Sequence, residues 1–372
     1  MSEEFSNYLI LNMNLKRLII TIIISVFSLS YTAFPSEPLA AYLSNTDSLW
    51  HVIDYKGTEM FAPVKAFKIK GYSEGMFRFL VKDGIDKKWM FVNTKGEIAF
   101  KPDCDNVGDF HEGYAVADKY TDDSRLFSAF GFYDKTGKEF TPIKYAHTIR
   151  FSEGLGFVME KRSNKYINHD GKTMIVLPNS SGGVFSEGLA SVTNAKSLMG
   201  YINKKGELQV PYRFGEARDF SCGLAAVTID AAYGFINQNA ELVIPDKFPI
   251  VGDFKENIAK VGKYNYDYKL TWGAIDKSGN IIIDYQFSFL REFSQGVAAA
   301  KKNDLWGFID ATGSYIIEPK YFFAGSFIND MAWASKRDEG IRGYINKEEE
   351  FQVVIPEDAA KVFDLRENKF VF

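Results

Sequence analysis

Trp306-Gly307-Phe308-Ile309-Asp310, followed by Gly313, Ile316-Ile317-Glu318-Pro319 and Phe327, is the phrase whose reading decides the fold, because the chain writes it roughly nine times. Residues 306, 308 and 310 alternate with 307 and 309, the two-residue period of a strand. Asp310-Ala311-Thr312-Gly313 supplies an Asx side chain that can bond its own backbone and a glycine that tolerates positive φ, the chemistry of a short hairpin turn. Tyr315-Ile316-Ile317 returns as a second strand. Pro319 has no N–H for a ladder, so it belongs at that strand's end or at an edge. Well-preserved copies continue with a Phe-Ser-x-Gly turn and a small apolar strand such as Val297-Ala298-Ala299-Ala300. Three short strands bury no core alone, so neighbouring copies must complete one another.

The copies can be counted by their Asx residues, at Asp54, Asn93, Asp134, Asn168, Asn203, Asn237, Asp276, Asp310 and Asn346, in units starting near residues 50, 89, 130, 165, 199, 233, 272, 306 and 342. The turn glycine recurs at 57, 96, 137, 171, 206, 279 and 313, with Ala240 and Glu349 in its place in units six and nine. The later turn reads Ser73-Glu74-Gly75, His111-Glu112-Gly113, Ser152-Glu153-Gly154, Ser186-Glu187-Gly188, Ser221-Cys222-Gly223 and Ser294-Gln295-Gly296. Asn257 and Asp330 replace its glycine elsewhere. Asn and Asp follow glycine in tolerance of the left-handed region, so the exceptions support the turn. The connections after units one, two and six are the long ones, and equivalent loops of a regular array share a face, where function concentrates.

The aromatic-Gly-Phe-Ile-Asp, Asx-x-x-Gly and Phe-Ser-Glu-Gly-Leu-Ala phrases resemble those of the bacterial WG-repeat proteins, from about Trp50 to the C-terminus. Unit one departs with Trp50-His51, unit four with Lys165-Tyr166, and unit nine ends in Phe363-Asp364-Leu365-Arg366 without glycine. The resemblance implies a β-rich tandem repeat, usually described without an enzymatic activity and often found in exported or envelope proteins. It carries over no catalytic residue.

Ahead of the repeats, Lys16 and Arg17 precede the apolar run Leu18 to Phe34, which matches a secretory signal, with Ala33, Ala40 and Ala41 as cleavage points. The expected organisation is a signal peptide or uncleaved anchor over 1–40 and an all-β repeat domain over 41–372. That domain is read as about nine three-stranded meanders in a closed or nearly closed propeller-like toroid, with an open β-superhelix as the alternative. Closure is expected between Lys369-Phe370-Val371-Phe372 and Trp50 to Asp54, which would remove an exposed apolar edge. The expected location is secreted, periplasmic or cell envelope, with membrane contact only through an uncleaved N-terminal segment.

Composition narrows the partners. An apolar content of 46% excludes disorder, and 16% aromatic residues suggests stacked rings within the repeats. A net charge of -4 without a basic tract argues against nucleic acid. Cys104 and Cys222 stand at non-equivalent positions and read as isolated thiols. His51, His111, His147 and His169 show no metal-ligand spacing, and the Asp-Lys-x-Gly turns offer one carboxylate each, so no metal or cofactor is expected. A serine repeated around an array reads as structural rather than nucleophilic.

The candidate binding residues are on the long connections: Tyr264, Tyr266, Asp267 and Tyr268 in one, Tyr120, Asp122 and Asp123 in another. Tyrosine presents a rigid apolar ring with a polar tip, suited to protein surfaces and to sugars. The competing reading is a hairpin whose alternate tyrosines line one strand face. The leading expectation is a non-catalytic scaffold for a protein or envelope component, with glycan binding second and an enzyme with a central-channel site third.

Overall fold

The computed structural model describes residues 37–122, 124–160, 163–178, 180–336 and 339–371. Among them there is no helix, and the strands form nine small antiparallel sheets, the blades of a propeller. Blades 1 to 8 span 68–100, 106–145, 147–177, 181–214, 224–248, 250–287, 289–321 and 323–354, each a meander in chain order. A short first strand precedes the three that the repeat phrase announces. In blades 6, 7 and 8 it is two residues long, as in Phe289–Leu290, and in blade 5 it is reduced to the bridges Ala217↔Val227 and Ser221↔Leu224.

Blade 9 is shared between the two ends of the described chain. Its order is Trp50–Asp54, Pro38–Ser44, Ala359–Asp364, Lys369–Phe370, with Ala40 opposite Asp364 and Tyr42 opposite Val362. The toroid is therefore closed, but not by the expected strand pair. Pro38–Ser44 stands between Trp50–Asp54 and the C-terminal strands, and Lys369–Phe370 pairs with Ala359–Asp364 instead. Leu39-Ala40-Ala41-Tyr42, which includes the expected cleavage points Ala40 and Ala41, has the small apolar character of the Val297 strand. The expected boundary at 40/41 falls inside this strand, and Ala40 and Ala41 are fully buried, so cleavage at either would cut blade 9. Ala33 and the apolar run lie outside the described residues.

The core is a set of nine seams, one between each pair of neighbouring blades. Trp306, Phe308 and Ile317 of blade 7 pack with Ala324, Phe327 and Ala332 of blade 8, whereas Ile309, Ala298 and Ala300 turn the other way onto Trp272, Ile283 and Phe287 of blade 6. Strand alternation thus feeds both seams, and small residues suit the second strand because both its faces are covered. The last seam joins Leu39, Tyr42 and Val362 of blade 9 to Trp333 and Tyr344 of blade 8, and the next joins Trp50 and Val52 to Phe77 and Phe79 of blade 1.

The glycine of the aromatic-Gly pair has a steric cause. A Cβ on Gly307 would lie 2.5 Å from the Ile317 carbonyl oxygen, and those on Gly200 and Gly273 would lie 2.4 Å from the Val210 and Ile283 oxygens. At these positions the fourth strand bulges toward the third, skipping from Trp306↔Tyr321 to Phe308↔Ile317. Blade 3 has Lys165 instead of glycine, and there the register runs without a bulge through Asn164↔Leu177, Lys165↔Val176 and Tyr166↔Ile175. In blade 9 no regular fourth strand faces His51, whose ring stacks on Tyr42 at 4.8 Å and bonds Asp47 and Glu59. At Lys165 and His51 the departure from the phrase is therefore matched by a departure in the outer strand, while in blade 8 Gly343 is kept although it pairs in regular register with Val354.

Candidate functional site

Because every blade runs in the same order, its turns divide between two faces. Turns joining strands one to two and three to four leave by one face, and hairpins joining two to three leave by the other.

The first face holds the ring together. The Glu of each Ser-Glu-Gly turn and the residue after it both have positive φ, as at Glu187 (53°) and Gly188 (83°), the conformation of a type I′ hairpin turn. Asn or Gly would suit the first of these positions better, and the reason for Glu is its reach. The carboxylate of Glu74 accepts the Gly113 N–H of the next blade at 3.0 Å, Glu112 that of Gly154 at 2.9 Å, Glu187 that of Gly223 at 2.8 Å, and Glu256 that of Gly296 at 2.8 Å. Gln295 does the same for Asp330, and Asn368 accepts from Tyr72 across the closing seam. Lys135, His169 and Lys204 of the three-to-four turns reach Glu74, Glu112 and Glu153. The preceding serine adds a second link: Ser152, Ser186, Ser221 and Ser294 donate to the carbonyls of Phe185, Phe220, Phe254 and Phe327 one blade on, at 2.6–2.7 Å. The motif's serine, expected to be structural, is a clasp between blades, and its glutamate is a second clasp that was not expected. A Glu recurring where the backbone favours Asn or Gly was the available signal.

Charged residues of both signs recur along the inner edge of five blades, on or just after the first strand. Asp109, Arg150, Asp219, Asp253 and Glu292 occupy one equivalent position in different blades, the residue before the seam phenylalanine. Burial pushes the Asp219 carboxyl up, the charge of Asp253 on the next blade adds to it, and Arg150 from two blades away pulls it down. Among the described residues no hydrogen bond joins Asp219 to Asp253, and no group of three or more His, Cys, Asp or Glu could hold a metal ion.

The second face carries the candidate residues. Tyr264 closes the strand Ala259–Tyr264 of blade 6, and Tyr266, Asp267 and Tyr268 form its hairpin tip. Asn265 heads this turn as the Asx heads the repeat turns: its side chain accepts the N–H of Asp267 and of Lys269, each at 2.9 Å. Tyr268 stands where the glycine would, at φ 57°. The tyrosines therefore do not line a strand face. Tyr264, Tyr266 and Tyr268 are 52%, 103% and 88% exposed, and the Asp267 carboxylate has no partner among the described residues.

Tyr120 and Asp122 are on the equivalent hairpin of blade 2, on the same face but four blades away, so the structure does not bring the two groups together. The Tyr120 N–H donates to Asp105 and its ring lies 5.7 Å from the Arg125 guanidinium. Asp122 accepts from the Ser124 N–H and hydroxyl, which makes it a turn former. Asp123 lies outside the described residues. Leu126 and Phe127 at this tip are exposed and were not anticipated.

The WG containing repeat family matches residues 89–119, 130–165, 199–231, 233–266, 272–306 and 306–339, together more than half of the chain. No curated protein matches. Among solved structures the chain is similar to one described as the crystal structure of the eukaryotic initiation factor, at 11% identity over 91% of this chain and 95% of that chain, with a TM-score of 0.59. It also matches BamB from Moraxella catarrhalis at 10% identity, over 73% and 93% of the two chains, with a TM-score of 0.43. The first likeness is one of fold.

Proposed function

Since the chain belongs to the WG containing repeat family, we propose that it is a non-catalytic binding scaffold that presents the blade 6 hairpin to a protein partner in the cell envelope. The observation that carries this reading is the concentration of three exposed tyrosines on a hairpin of seven residues whose backbone is fixed by its own Asx turn. Rigid rings on a fixed turn lose little conformational freedom on binding, which is what makes tyrosine an effective contact residue. The charged residues and apolar run over 16–34 support export. Replacing Tyr264, Tyr266 and Tyr268 together with Ser should abolish capture of the partner from an envelope fraction while leaving the thermal melt in place. Unchanged capture would refute the reading.

Glycan recognition is the second reading, favoured by the free Asp267 carboxylate between two exposed rings, an acceptor placed to bond sugar hydroxyls. Binding on a glycan array that is lost in the triple variant would select it.

A further inference from the structure

We propose that the junction of blades 9 and 1 is a binding site for a small organic anion, a phosphate or carboxylate carrying an apolar group. The site exists because blade 9 lacks a regular outer strand. Between Thr58 and Phe67 the chain forms no strand: it makes the isolated bridges Ile53↔Glu59 and Trp50↔Val64 and single backbone bonds from Met60 to Val52 and from Phe67 to Leu80, and Pro63 interrupts it. The space left open is a cavity of about 710 Å³ lined by Ser48, Lys65, Ala66, Phe67, Lys82 and Gly84. Sites for small molecules commonly span roughly 300–1,000 Å³.

Charge sets the sign of the ligand. Lys65 and Lys82 form no ion pair among the described residues, and the Lys87 ammonium lies 4.4 Å from the centre of the Phe67 ring. The neighbouring carboxylates are engaged: Asp47 and Glu59 with His51, and Asp83 with Lys101 at 3.3 Å. Asp86, which stands opposite Asp83 in the hairpin ladder, has no partner among the described residues. Lys82 and Lys87 also stand directly opposite each other in the hairpin ladder, a like-charge pair that a bound anion would relieve. The apolar part of the ligand follows from Ala66 and the half-exposed Phe67, with the fully exposed Ile85 next to Gly84 at the hairpin tip. Blade 6 is not involved, so this site stands or falls apart from the tyrosine hairpin.

The test is calorimetric titration of the full-length chain with phenyl phosphate and with inorganic phosphate. We expect one saturable site for phenyl phosphate, with inorganic phosphate at least about tenfold weaker because it makes no contact with Phe67. Lys65→Gln with Lys82→Gln, and separately Phe67→Ala, should each weaken phenyl phosphate by about tenfold or more, the first through the loss of two cationic partners and the second through the loss of an apolar contact. These are surface positions, and an unchanged melt will show that the variants fold. Failure to saturate, equal affinity for the two phosphates, or unaltered binding by the double lysine variant would each overturn the proposal. Sedimentation with phosphatidylglycerol vesicles identifies the source of the anion. Lysine-dependent sedimentation marks a lipid headgroup, and a chain that binds phenyl phosphate but stays in the supernatant takes a free ligand.

Discussion

Gly307→Ala tests the physical account of the repeat. The added methyl would sit 2.5 Å from the Ile317 oxygen, 2.8 Å from the Pro319 nitrogen and 2.9 Å from the Glu318 carbonyl carbon. All three are backbone atoms, so no rotamer change relieves the contact. The outer strand must move away, giving up the bulged pairing of Trp306↔Tyr321 and Phe308↔Ile317. Overpacking of this kind costs about 1–3 kcal/mol, and a lost ladder hydrogen bond adds about 1 kcal/mol. Alanine gains back roughly 0.5–1 kcal/mol over glycine by restricting the unfolded chain. The expected net loss is about 1–3 kcal/mol, read as a lowered urea midpoint by circular dichroism and tryptophan fluorescence. Lys165→Gly is the control at the equivalent place in blade 3, where the register has no bulge. There, introducing glycine should itself destabilise by roughly 0.5–1 kcal/mol. A Gly307→Ala protein that unfolds at or above the wild-type midpoint would refute the steric explanation of the glycine.

Tyr268→Gly should raise stability by about 1 kcal/mol, because φ 57° suits glycine and strains tyrosine, while weakening partner capture; urea unfolding and capture on the same preparation will show both. Burial alone would push Glu74 up, but Lys135 and the Gly113 N–H outweigh it and hold its carboxyl below the ordinary value. Its contribution is therefore present above the unfolded glutamate pKa of about 4.3 and is lost as pH falls through the lower folded value. The stability gap between wild type and Glu74→Gln should accordingly narrow from pH 7 to pH 3, and a constant gap in urea midpoints would contradict the linkage. Burial first, then the charges of Asp118, Asp105 and Asp103, push the Cys104 thiol up to about 12. The folded protein should accordingly resist iodoacetamide at Cys104 at pH 8 and react fully in urea, as followed by mass spectrometry.

The units, their hairpin turns and the ring were legible because the signals for them are local. Ala240 and Glu349, which replace the first turn glycine, and Asn257 and Asp330, which replace the second, all take positive φ, at 67°, 68°, 66° and 59°. The alternation of Trp306 to Asp310 translates directly into seams on opposite faces. What escaped was set by distant partners. Pro38–Ser44 is a strand because Ala359–Asp364 lies beside it, and nothing within Leu39-Ala40-Ala41-Tyr42 distinguishes that strand from a region of small residues ahead of a domain. The turn glutamates are explained by the N–H groups of the following blade, some forty residues on, as with Glu112 and Gly154. At the candidate site, sequence found the tyrosine hairpin but not that Tyr120 and Asp122 stand across the ring from it, since the angular placement of a loop depends on how many blades close the circle. The cavity beside Lys65 and Phe67 was invisible for a related reason: it is made by a strand that fails to form.

The pairing of residue 40 with residue 364 also bears on synthesis. A ribosome adding about 5–20 residues per second takes on the order of 15–60 seconds to travel between them. For that interval the nascent chain carries Pro38–Ser44 with one long edge unpaired and the Trp50 seam without its last contributors, Phe363 and Leu365. A holdase that covers extended apolar segments would find its substrate there, and a stop codon ahead of Ala359 would leave eight blades formed with the circle still open.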